Sequence, residues 1–95
     1  MNLRVNSLTE LPESICELRR LETLDLSGNW LNSLPEKTGQ LKELEVLDLS
    51  DNSIKTLPIS IGNLDQLHTL DLRFNYLNNL PQSISQLEQL HTIGK

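Results

Sequence analysis

The sequence predicts an α/β solenoid in which each repeat supplies one parallel strand and a short helical or 3-10 return segment, with residues 1–95 forming a single domain of about four repeats. Three observations lead there. A 23-residue period brings Leu24, Leu26, Asn29, Leu31, Leu34 and Pro35 back as Leu47, Leu49, Asn52, Ile54, Leu57 and Pro58, and again as Leu70, Leu72, Asn75, Leu77, Leu80 and Pro81. Leu3, Asn6, Leu8, Leu11 and Pro12 extend the same frame toward the first residue. Within each unit, apolar residues alternate at one point and recur three apart at another, so strand and helical periods sit side by side. A repeat of this length means stacked units, none of which buries its apolar face alone.

Each element follows from its residues. Leu24 and Leu26 alternate across Asp25, the pattern of a short strand with one buried face. The asparagines come next, where the chain turns away with unpaired backbone groups. An inward amide both donates and accepts, so a column of Asn6, Asn29, Asn52 and Asn75 can satisfy those groups rung by rung. Pro35, Pro58 and Pro81 fix φ and mark a turn or a first helical position. Ile61 with Leu64, and Ile84 with Leu87, then sit three apart and face inward on the return segment. Thr38 stands where the other repeats carry Ile15, Ile61 and Ile84. Its hydroxyl makes that return segment the one expected to be least regular.

The run Leu21-x-x-Leu24-x-Leu26-x-x-Asn29-x-Leu31, repeated from Leu44 and from Leu67, resembles the leucine-rich repeat signature. The second half of each unit, L-P-x-x-I-x-x-L, is similar to a 23-residue class found in intracellular scaffold and Ras-group proteins. The resemblance covers essentially the whole chain. It implies recognition of another protein, without a cofactor and without enzymatic activity, and names no partner.

Composition limits the function further. The net charge of −5 argues against nucleic acid or an anionic membrane surface as the main partner. No stretch approaches the roughly 18 apolar residues of a membrane span. Cys16 has no second cysteine to pair with, no N-x-S/T acceptor occurs, and no signal peptide precedes the first repeat, so a cytoplasmic setting is expected. His68 and His91 share a register position below Glu22 and Glu45, but a third and fourth metal ligand are missing. No phosphate-binding glycine loop or nucleophile elbow appears.

The candidate binding residues lie on the outward strand face and its rim. Asn2, Asp25, Asp48 and Asp71 share one slot, which aligns three carboxylates as a ladder. Neighbouring rungs about 4.8 Å apart repel by roughly 1 kcal/mol per pair in water-like surroundings. The ladder is either a family habit or a stripe for basic partner side chains. Beside it runs Arg4, Ser27, Ser50 and Arg73, and then Thr23, Val46, Thr69 and Thr92, where small side chains leave room for a partner. Arg73 either neutralises Asp71 and Asp48 or holds a partner carboxylate. Trp30, Phe74 and Tyr76 are the only aromatic residues, and none occupies a leucine slot. Trp30 and Tyr76 share one slot with Ser53 between them, whereas Phe74 either joins them at the rim or tucks inward. Aromatic and arginine side chains dominate interface energetics, which marks this rim as a contact patch.

Neither end shows the polar capping segment of a solenoid, which suggests a fragment of a longer array. The first rung would expose Leu3 and Leu8, and the last Leu87, Leu90 and Ile93. Two alternatives to the recognition module follow: self-association through these end rungs, or the substrate-recruiting part of a larger enzyme.

Overall fold

A computed structural model describes residues 1–90 and 92–94, the last segment as backbone together with the Ile93 side chain. His91, paired by register with His68 in the sequence, lies outside the described residues. Among the described residues, four 3-10 turns alternate with four strands: η1 (Glu13–Glu17), β1 (Thr23–Asp25), η2 (Glu36–Gln40), β2 (Val46–Asp48), η3 (Ile59–Asn63), β3 (Thr69–Asp71), η4 (Gln82–Gln86) and β4 (Thr92–Gly94). The strands form one parallel sheet in the order β1-β2-β3-β4. The register is the repeat itself, with Leu24 opposite Leu47 and Asp25 opposite Asp48, then Leu47 opposite Leu70 and Asp48 opposite Asp71. Asn2 adds a parallel bridge to Asp25, so the first rung continues the same ladder.

The core lies between the sheet and the 3-10 turns as a column of aliphatic side chains. Leu24, Leu26, Leu31, Leu47, Leu49, Leu64 and Leu70 are fully buried. Each removes a whole side chain from water, worth about 1.5–3 kcal/mol. Leu87 is buried at 5% exposure, as its inward slot on the return segment predicts and not as an exposed side chain of the last rung, and Leu3, Leu8 and Leu90 are half-buried. Leu87 closes the η4 turn and belongs to the continuous core cluster.

The asparagine column operates as the sequence predicts. Asn52 Nδ2 donates to the carbonyls of Leu26 at 3.0 Å and Leu49 at 3.0 Å, while its Oδ1 accepts from the Leu31 amide at 3.0 Å. Asn29 bonds to Leu3 and Leu26 in the same way, and Asn75 to Leu49 and Leu72. Each amide ties its own turn to the preceding rung, which satisfies backbone groups that burial would otherwise strand. Asn6 begins the column but is exposed, and joins it through its backbone N–H to Asn29 Oδ1.

The return side decides one expectation between its two alternatives and corrects another. Each proline stands one residue before its 3-10 turn in an extended conformation, and its carbonyl accepts the first turn hydrogen bond. Pro35, at φ −67° and ψ 151°, receives the Thr38 amide at 3.0 Å. The proline therefore sets the entry direction instead of occupying the first helical position. The η2 turn is also as regular as the others, because Thr38 Oγ1 donates to the Pro35 carbonyl at 2.6 Å and leaves no orphaned hydroxyl. Thr38 is nonetheless 1% exposed in a slot that Ile61 fills in the next repeat. Thr38→Ile is expected to raise the unfolding free energy by about 0.5–1 kcal/mol, read as an unchanged denaturant m-value with a higher midpoint.

Close packing on this side requires small residues. A Cβ placed on Gly62 would stand 2.6 Å from the carbonyl oxygen of Ser83, and one on Gly39 would stand 2.7 Å from that of Ser60. Cys16 occupies the equivalent position of the first repeat, fully buried, and burial pushes its thiol above the ordinary range. A protonated, covered thiol is a packing residue, not a nucleophile.

Candidate functional site

Four residues with no shared chemistry, Val5, Gly28, Asp51 and Phe74, occupy one slot immediately before the asparagine column. All four have left-handed backbone, with φ of 52°, 70°, 57° and 61°. The chain must bend sharply here to leave the strand, and the slot demands this conformation whatever residue it receives. Glycine fits without strain and aspartate tolerates it, whereas phenylalanine and valine resist it. In this slot Phe74 is 76% exposed, so of the two placements the sequence leaves open the ring takes the rim and not the interior. Its left-handed backbone accompanies an outward ring.

Trp30 and Tyr76 flank the same region. Their amides donate to the carbonyls of Leu8 at 2.7 Å and Ile54 at 2.9 Å, and Ser53 between them donates to Leu31 at 2.9 Å. The three residues thus form one backbone ladder, and two rungs place Trp30 roughly 10 Å from Tyr76 at the Cα level. Their side chains are 62% and 66% exposed. Trp30, Phe74 and Tyr76, with Asp51 and Ser53, line one open cleft of about 420 Å³. The Trp, Phe and Tyr rings are therefore all outside the core and at one place. Sequence reasoning found the rings, with Ser53 between two of them, but missed Asp51; the signal was its register with Phe74.

The carboxylate ladder has a structural task as well. Asp25 Oδ1 accepts the Ser27 amide at 3.0 Å and the Ser27 hydroxyl at 2.7 Å. Asp48 does the same with Ser50 at 2.9 and 2.7 Å. The aspartates thereby close the strand end through a local turn. Ser27 and Ser50 serve this turn, so their row does more than leave open space. Among the described residues, the intramolecular hydrogen bonds of the Asp25 and Asp48 side chains all fall on Oδ1.

Asp71 differs because Arg73 replaces the serine. Arg73 Nε reaches Asp71 Oδ1 at 3.0 Å and its NH2 nitrogen reaches Oδ2 at 2.8 Å, a two-point clamp. The side-chain hydrogen bond from Arg73 holds the Asp71 carboxyl below the usual carboxylate range, although burial opposes it. A depressed folded-state value contributes stability above the unfolded pKa of about 3.9 that is lost as pH falls through the lowered value. Arg73→Gln is expected to flatten that acid limb. Thermal midpoints measured from neutral pH down to strong acid should converge for wild type and variant at the low end.

His68 Nε2 lies 3.6 Å from Glu45 Oε1, and its Nδ1 is 3.0 Å from Thr69 Oγ1. No group of three or more metal-ligating side chains occurs among the described residues, nor does any helix there have the length and apolarity to cross a membrane.

Comparison with known proteins agrees with this geometry. The profile of the family described as Leucine rich repeat matches residues 19–77. A leucine-rich repeat protein of Leptospira interrogans superposes with a TM-score of 0.94 at 43% identity, over 96% of this chain and 23% of its own. An internalin from Listeria monocytogenes superposes with a TM-score of 0.72 at 22% identity, over 88% of this chain and 24% of its own, a likeness of fold alone. The chain thus spans about a quarter of the length of either structure. None of the curated proteins matches it significantly. A repeating strand, asparagine turn and 3-10 return, matched in sequence over most of the chain, lead to one assignment: the chain belongs to the leucine-rich repeat family.

Proposed function

We propose that this chain is a non-enzymatic recognition module that binds another protein through the outward strand face and its aromatic rim. Leucine-rich repeat proteins generally mediate protein–protein interaction, and this reading assigns that role to a particular surface. The observation that carries it is the cleft where Trp30, Phe74 and Tyr76 are all more than three-fifths exposed. Exposed rings keep apolar surface in water and add nothing to this core, whereas buried in an interface they become its strongest anchors. Phe74 sharpens the point, since it occupies a left-handed slot where glycine would be more stable. Strain retained beside an exposed ring fits a binding surface.

The adjoining face extends the patch. Asp25, Asp48 and Asp71 present their row one step from the rim, and Arg73 is turned onto Asp71, which leaves the row net negative. A partner would seat an apolar or planar group in the cleft and align a strand or loop along the sheet. Panning a random linear-peptide display library against the wild type, then counter-screening on a Trp30→Ala, Tyr76→Ala double variant, tests this. Most selected peptides should lose binding to the folded variant. Selection of peptides that bind both forms equally would place recognition elsewhere on the solenoid.

A further inference from the structure

We infer that the Trp30–Tyr76 cleft takes a positively charged planar side chain, an arginine on an exposed basic segment of the partner protein. The inference deepens the recognition reading and rests on it. The cleft combines three aromatic rings with one carboxylate, Asp51, and none of the residues lining it is basic. The nearest cation in sequence, Arg73, is committed to Asp71 by contacts of 3.0 and 2.8 Å. Ring faces carry negative potential, so rings beside a carboxylate form a site that favours a cation.

The spacing selects the shape of that cation. Trp30 and Tyr76 stand two rungs apart with the small Ser53 between them, and a flat group stacked against a ring occupies about 3.5 Å. A guanidinium can stack on a ring while its edge donors reach a carboxylate, two contacts that a compact ammonium makes less well together. Asp51 lies in the middle rung, beside Ser53, where those edge donors would point. The protein's net charge of −5 and the carboxylate row on the adjoining strands draw a basic segment to this face before contact.

Trp30 is the single tryptophan, so its emission reports on the cleft directly. The full chain is titrated with a short oligo-arginine peptide and with its uncharged oligo-citrulline counterpart, which keeps the planar shape. The arginine peptide should perturb Trp30 emission saturably and bind about tenfold or more tightly than the citrulline peptide. Asp51→Asn should weaken the arginine peptide by several-fold, whereas Glu43→Gln with Asp65→Asn, two exposed acids on other turns, should leave it nearly unchanged. Equal binding of both peptides overturns the inference. So does an equal loss in the Asp51 and Glu43/Asp65 variants, which would mean attraction to net charge alone. If neutral peptides selected by display perturb Trp30 while oligo-arginine does not, the recognition reading survives and the basic occupant is lost. If no peptide of either kind perturbs Trp30, both fall.

Discussion

Asn52→Ala is expected to lower the unfolding free energy by about 3 kcal/mol, since it strands a buried amide N–H and removes a partner from two buried carbonyls. The groups concerned are the Leu31 amide and the Leu26 and Leu49 carbonyls, all within 3.0 Å of the Asn52 side chain. Asn52 is 6% exposed and has a full rung on either side, so water reaches these groups poorly. Asn75, half-buried, should cost less when truncated in the same way. Chemical denaturation of the two variants measures the difference. Equal and small losses would mean that the column is decoration on a core held by leucine alone.

Phe74→Gly is expected to move stability and binding in opposite directions. Relief of a left-handed residue gains about 1–2 kcal/mol, and the added freedom of the unfolded chain returns about 0.4–1 kcal/mol of it. A net gain of about 0.5–1 kcal/mol follows, with little offset from burial because the ring is already 76% exposed. Gly28, at φ 70° in the same slot, shows that the backbone accepts the replacement. Partner affinity should fall by about tenfold to thirtyfold, the scale of one lost interface anchor. Parallel measurement of the denaturation midpoint and of affinity for a display-selected peptide checks both signs. A variant that is more stable and binds equally well would remove Phe74 from the interface.

The parts legible in the sequence were those that translation by one repeat puts into identical surroundings. Leu24, Leu47 and Leu70 meet the same neighbours, and so do Asn29, Asn52 and Asn75, so their chemistry repeats with their position. The left-handed slot repeats in conformation only. Val5, Gly28, Asp51 and Phe74 share nothing a pattern search would register, so the sequence leaves Phe74 open between the rim and the interior. The Asp–x–Ser pairing is visible in the sequence but reads as open space, because a two-residue turn competes with the strand reading of the same residues. For Thr38 the partner carbonyl lies just three residues back, at Pro35, a local bond that a search for tertiary partners overlooks. The aromatic rim was legible by exclusion, since no ring occupied a core slot, whereas its gathering into one cleft with Asp51 needed the stacked geometry.

Recognition is proposed at the aromatic rim of the strand face. Amide chemical-shift mapping of the labelled chain, titrated with a display-selected peptide, tests it most directly. The account predicts that the largest shifts fall on Gly28, Trp30, Asp51, Ser53 and Tyr76, which line or flank the cleft, and fade across the strands. Largest shifts on Lys37, Gly39, Lys42 and Ser60, along the 3-10 side, would contradict it.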